Sequence, residues 1–165
     1  MEKIKKLLTQ IKNLPGCRVL EPNGLPSIDE ASHVFPEDIK EFYTLCGGVI
    51  LIEHEEYPTF VVPPDKFVLA NPIIIGELCE EDISSNWYII CNDGKDEYLT
   101  IDLAKERLGR CYDSFFDRHG LVGETQMIAT SFTDLLERLV ENKGQYWYWL
   151  KNDFDSLGDA YDEMI

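Results

Sequence analysis

Trp87-Tyr-Ile-Ile-Cys-Asn-Asp-Gly-Lys-Asp-Glu-Tyr-Leu-Thr-Ile-Asp102 holds two apolar runs, Trp87–Cys91 and the one that begins at Tyr98 and reaches Leu103, on either side of a polar loop. Aromatic and β-branched side chains suit a pleated, half-buried surface, so both runs are predicted strands. Asn, Asp and Gly supply the turn, because they tolerate positive φ or hydrogen-bond their own backbone. The stretch is therefore a predicted β-hairpin with a loop longer than two residues. In its first arm Trp87, Ile89 and Cys91 point one way, and Tyr88 and Ile90 the other. Both sets are apolar, which is the pattern of a central strand covered on both faces. Asp102 ends the second arm as a carboxylate on an otherwise apolar strand. Carboxylates are seldom buried without a partner, so Asp102 either caps a turn or meets a donor. A lone Asp with no acid–base partner in view does not point to catalysis.

Upstream of the hairpin, Ile4, Leu7, Leu8, Ile11 and Leu14 recur at helical spacing with lysines opposite, and Pro15-Gly16 ends the helix. A basic amphipathic helix can lie on a membrane, but in so acidic a chain core packing is the expected use. Ser27-Ile-Asp-Glu30 is a candidate capping box opening a brief helix. Pro36 suits the first turn of the next helix, with Glu37 and Asp38 at its positive end. Phe35, Ile39, Phe42, Tyr43 and Cys46 form its apolar face, and Gly47-Gly48 stops it. Short strands are expected at Val49–Ile52 and Thr59–Val62. The segments 67–70 and 72–75 read as strand or irregular.

Downstream, Leu108–Tyr112 is a predicted strand and 113–124 a loop. Met127–Ala129 is a short apolar piece. Ser131 N-caps a helix with Asp134 in its first turn and Phe132, Leu135, Leu136, Leu139 and Val140 as its stripe. Residues 146–150 are strongly aromatic, and the acidic C-terminal tail, 151–165, is expected to be loosely held.

The 165 residues suggest one domain with a sizeable core, and 44% hydrophobic residues say that it folds. Lys plus Arg is 15 against 31 for Asp plus Glu, a formal net charge of -16. Nucleic acid and anionic membrane would repel such a chain. A basic protein partner is permitted, and solubility alone is the competing use of the charge. Five scattered cysteines without a Cys-x-x-Cys pair make a poor disulfide framework and fit free thiols in a reducing cytoplasm. The N-terminus does not read as a signal peptide, and no run approaches the roughly 20 apolar residues that span a bilayer.

The order of these pieces resembles the SMI1/KNR4 superfamily, also called SUKH. The resemblance is carried by Phe35-Pro36-Glu37-Asp38 through Phe42-Tyr43 to Gly47-Gly48, then Trp87, Ile90, Asp93-Gly94 and Asp102, then Ala129-Thr130-Ser131-Phe132 with Leu135-Leu136. It spans roughly residues 27 to 140 and places an SMI1/KNR4-like domain in 1–150. It implies an α+β fold: a largely antiparallel sheet of about six strands with helices packed on it. It also implies either a bacterial immunity protein that neutralises a cognate toxin or a regulatory adaptor of the yeast type. The compact chain, without long disordered extensions, looks like the bacterial type.

No catalytic, metal or cofactor site is expected. His33, His54 and His119 lack ligand spacing. Asn92–Glu97 lacks the alternating ligands of a calcium loop. Cys46 and Cys91 have no base nearby in sequence. The expected site is instead a surface for a basic toxin, with Glu53, Glu55, Glu56, Glu80, Glu81 and Asp82 as charges and Tyr57 and Trp149 as aromatic anchors. For these carboxylates to act as one field, their loops must share one edge of the sheet.

Overall fold

The computed structural model describes residues 2–28, 30–145 and 147–164. Helix α1, Glu2–Lys12, buries Ile4, Leu7, Leu8 and Ile11 on one face. Strand β1, Arg18–Val19, follows. Helix α2, Glu37–Leu45, starts after Pro36 and buries Ile39, Phe42 and Tyr43. The strands are β2 Val49–Leu51 and β3 Thr59–Val61. After the short helix α3, Ala70–Ile74, come β4 Trp87–Asn92, β5 Tyr98–Asp102, β6 Cys111–Asp113 and β7 Met127–Ala129. Helix α4, Phe132–Glu141, is the last α-helix among the described residues.

Among the described residues seven strands form one sheet in the order β1 to β7, each neighbour antiparallel. That is one strand more than the expected six or so, in the expected α+β class. The extra strand is β1, whose two residues pair with Val49 and Ile50. Gly48 is where this region needs glycine. Its φ is +123°, and a Cβ there would lie 2.6 Å from the Val61 carbonyl oxygen.

Helices α1, α2 and α4 pack against one another on one face of the sheet. Phe42 meets Phe132 edge-on at 4.8 Å, joining α2 to α4. Asp38, expected at the positive end of its own helix, also caps the other one: its Oδ2 accepts from the Thr133 N–H and hydroxyl, each at 2.8 Å. Ser131 accepts from the Asp134 N–H at 3.0 Å, and Asp134 accepts from the Thr130 N–H at 2.9 Å. Four orphan donors at this helix start are reduced accordingly.

The other face is covered by α3, the 114–121 segment and Tyr161. Trp87 lies here, with ring centroids 4.5 Å from Tyr112, 5.6 Å from His119 and 6.0 Å from Tyr161. The strict alternation expected along β4 holds only to Ile89. Ile89 pairs with Thr100 and Cys91 with Leu99, so Ile90 is an extra residue, a β-bulge. It turns Cys91 onto the helix-covered face, away from Trp87.

Three other expectations change. Ser27, Ile28 and Glu30 are irregular where a brief helix was expected, and Asp29 of the expected capping box lies outside the described residues. Residues 70–74 are helical, with Ala70 and Asn71 turned inward. The tail is docked: Ala160 and Tyr161 are buried, Asp159 bridges to Gln126, and the Tyr161 hydroxyl donates to Asp82 at 2.7 Å. Its apolar side chains hold it against the sheet despite the acidic residues between them.

Candidate functional site

Among the described residues two carboxylates lie inside the protein and are fully engaged. Asp102 Oδ2 accepts from Tyr112 Oη at 2.7 Å, Arg107 Nε at 3.0 Å and Trp87 Nε1 at 3.1 Å, and Oδ1 accepts from the Ala104 N–H at 3.0 Å. Asp102 thus both caps a turn and meets donors. Burial pushes its pKa up, while Tyr112, Ala104 and Arg107 pull it down. Asp113 is built alike, accepting from the Phe115 N–H, Arg118 Nε and Trp149 Nε1, each at 3.0 Å. With so many lone pairs committed, neither is placed to receive a substrate proton.

All five cysteines are free, and Cys46, Cys91 and Cys111 are buried. Burial pushes the Cys46 thiol up to about 11 and raises Cys91 and Cys111 as well. A nucleophilic thiol needs the opposite shift. His33 bonds Tyr88 Oη at 2.8 Å and Asn86 Oδ1 at 3.0 Å. In the 92–97 loop, Asp93 Oδ1 accepts from the backbone of Lys95 and Glu97, and Asn92 Oδ1 accepts from Gly94. The likeness to a calcium loop is that of a turn closed by its own side chains. Among the described residues no group of three or more His, Cys, Asp or Glu is placed to hold a metal ion. No helix among them is long and apolar enough to cross a membrane.

The acidic loops fall at opposite ends of the sheet. The register places the β2–β3 and β4–β5 turns at one end, since Leu51 pairs with Thr59, Phe60 with Asn92, and Asn92 with Tyr98. This hairpin end carries Glu53, Glu55, Glu56 and Tyr57, then Asp93, Asp96 and Glu97, then Phe116 and Asp117. Glu80, Glu81 and Asp82 precede β4 and lie at its other end. Six residues of strand separate the two ends by about 20 Å. The expected single field is therefore two.

At the hairpin end, Glu53 is tied to Arg18 at 3.0 Å, and that pair holds the Glu53 carboxyl below its usual pKa. Glu55 and Glu56 are exposed. Tyr57 is 37% exposed and meets Trp147 edge-on at 5.0 Å. Trp149 is not an anchor: it is 3% exposed, with its indole N–H committed to Asp113. An aromatic with a buried polar partner is core, whatever its place in a run of aromatics.

At the opposite end, Glu80, Glu81 and Asp82 line a cleft of about 640 Å³ with Glu30, Glu106 and His33. Asp82 Oδ2 accepts from the Ser84 N–H at 3.0 Å and from Tyr161. Burial opposes the charge on Asp82, and these bonds outweigh it, so its pKa is lowered.

Sequence reasoning missed Phe116, which is 71% exposed, and Ile73, which is 54% exposed. The available signal was the Phe115-Phe116 doublet in a loop, where adjacent side chains must point apart.

The family model described as "SMI1 / KNR4 family (SUKH-1)" matches residues 29–138. This chain belongs to that family. The SMI1/KNR4 match covers the sheet from β2 to β7 and the first seven residues of α4, and leaves out α1, β1 and the docked C-terminal segment. The immunity protein YokJ of Bacillus subtilis (strain 168) is 64% identical over 159 residues, covering 96% of this chain and 96% of that protein. No solved structure matches the chain significantly.

Proposed function

We propose that this protein is an immunity protein: it binds a cognate polymorphic toxin and neutralises it by occupancy, without turnover. Its similarity to immunity protein YokJ along nearly the whole chain supports the reading. The observation that carries the mechanism is the surplus of carboxylate at the surface. Glu55, Glu56 and Asp96 are exposed at the hairpin end of the sheet and in no ion pair among the described residues. The net charge of -16 exceeds the roughly 2–8 that keeps a small domain soluble, and its self-repulsion works against folding.

We infer that the toxin domain is basic and of the kind that cleaves nucleic acid. Such a domain must present Arg and Lys to phosphates. Carboxylates of the immunity protein can pair with those cations and keep the substrate out. The test titrates with this protein any candidate toxin domain that a gene neighbouring this chain's own encodes. Inhibition should be complete at one equivalent. Association should slow steeply from about 0.01 to about 0.15 M salt, as the Debye length falls from about 30 to about 8 Å. Undiminished toxin activity in excess protein would overturn the immunity reading. Inhibition with salt-independent association would keep immunity and remove the basic partner.

A further inference from the structure

We propose that the toxin docks on the hairpin end of the sheet, with Phe116 and Ile73 as apolar anchors and Asp96, Glu97 and Asp117 as the rim that receives its cations. This rests on the immunity reading above and assigns it a surface. The apolar part comes first. Phe115 is 5% exposed, with the Arg118 guanidinium 4.7 Å from its ring centroid. Its neighbour Phe116 therefore turns outward. The outward ring is carried on fixed backbone, because the Phe116 N–H donates to Glu97 Oε1 at 2.9 Å. Ile73 and Ile74 of α3 share a hollow of about 400 Å³ with Phe116, Tyr98 and Asp96. Helix α3 turns Ala70 and Asn71 into the core, which leaves Ile73 facing water. Contiguous exposed apolar side chains ringed by polar ones mark interaction sites, and rigid aromatics dominate interface energies.

The rim supplies the partner's chemistry. Asp93, Asp96, Glu97 and Asp117 gather here with Lys95. Arg118 is also near, but its Nε is bound to the buried Asp113 at 3.0 Å, and its Nη1 is 3.5 Å from Asp117. Glu97 has its pKa raised by burial and then by the charges of Asp93 and Asp117. A cation set among these carboxylates would relieve that repulsion. Glu55 and Glu56 lie at the same sheet end and extend the negative field. The occupant that fits is a cationic protein surface with a recess for one aromatic ring. The cleft at the opposite end is also acidic, yet among the described residues no exposed aromatic lines it.

The experiment measures binding kinetics of that same toxin domain with four variants, each checked for an unchanged melting curve. Phe116→Ala should weaken binding about tenfold, mainly through faster dissociation, and Ile73→Ser should do the same to a lesser degree. Asp96→Lys with Asp117→Lys should slow association about tenfold at low salt. Glu80→Lys with Glu81→Lys, in the far cleft, should change affinity less than about twofold. Phe116→Ala binding within about twofold of the unmodified protein overturns the proposal, whatever the other variants do. A loss confined to the Glu80 and Glu81 pair would keep the immunity reading and move the interface to the cleft. Failure of the unmodified protein to bind would sink the immunity reading itself.

Discussion

Asp102→Asn should destabilise the protein by about 3 kcal/mol while leaving the fold recognisable. Three donors converge on Oδ2 of Asp102 and one on Oδ1. An asparagine offers one oxygen and one NH2 group. Either orientation sets the NH2 against a donor, whether that is the Trp87, Arg107 and Tyr112 trio or the Ala104 N–H. The change also removes the charge facing Arg107, whose side chain is 4% exposed. Breaking a buried ion pair by taking away one partner costs about 3–5 kcal/mol. Arg107 Nη1 keeps its bond to Glu106 at 3.1 Å, and Glu106 is exposed, which points to the lower end of that range. For a chain of this size the midpoint should fall by roughly 10 °C. Urea unfolding at neutral pH measures the loss. The double variant Asp102→Leu with Arg107→Leu is the companion measurement. It leaves no orphaned charge, so it should cost less than the sum of the two single changes. Asp102→Asn within about 1 kcal/mol of the unmodified protein, or strict additivity in the double variant, would refute the reasoning.

His119 makes the stability of this protein depend on pH. Its Nε2 lies 2.6 Å from Asn71 Oδ1, and the Asn71 amide donates to the Leu78 carbonyl and Ser84 Oγ. Nε2 therefore carries the proton, and Nδ1 has no hydrogen-bond partner among the described residues. Burial pushes the His119 pKa down from 6.5 to about 4. Between those values the unfolded chain binds a proton that the folded one refuses, so this contribution is intact above 6.5 and is lost as pH falls. Acidification to about pH 5 should cost about 2 kcal/mol more in the unmodified protein than in His119→Gln. Equal losses in urea titrations of the two would exclude His119 as the cause. Trp149→Phe keeps an aromatic beside Phe115 but takes one donor from Asp113, and should cost about 1–3 kcal/mol with toxin affinity unchanged. A fall in affinity without a fall in stability would return Trp149 to the surface.

Much of the local structure was legible in the sequence because its causes are local. The α1 stripe repeats every three or four residues, and all four of its central apolar side chains are buried as the spacing requires. Ser131 caps the helix that its own next three residues begin. The Trp87–Asp102 hairpin was written in two β-rich arms and an Asx-Gly turn, and Trp87 does face Asp102 across the pair. Other features depend on residues far apart in the chain. Two-residue β1 exists as a strand only because β2 is there to accept it. The bulge at Ile90 is invisible to alternation and decides which face receives Cys91. Asp38 closes a helix start 95 residues away, and Tyr161 ties the tail to Asp82 across 79 residues.

The candidate surface divides in the same way. Its charge, its acidic loops and its family were present in the order of residues. Which loops share an end of the sheet was settled by strand register, since each antiparallel turn reverses the chain and the loop before β4 ends about 20 Å from the loop after it. The aromatic run near the C-terminus contained no signal that Trp149 would turn inward, and the Phe115-Phe116 doublet, 33 positions earlier, did not say which of its two rings would turn outward. Asp113 decides the first, because a buried carboxylate recruits the nearest indole N–H. The Phe115 ring, taking the inner position beneath Arg118, decides the second.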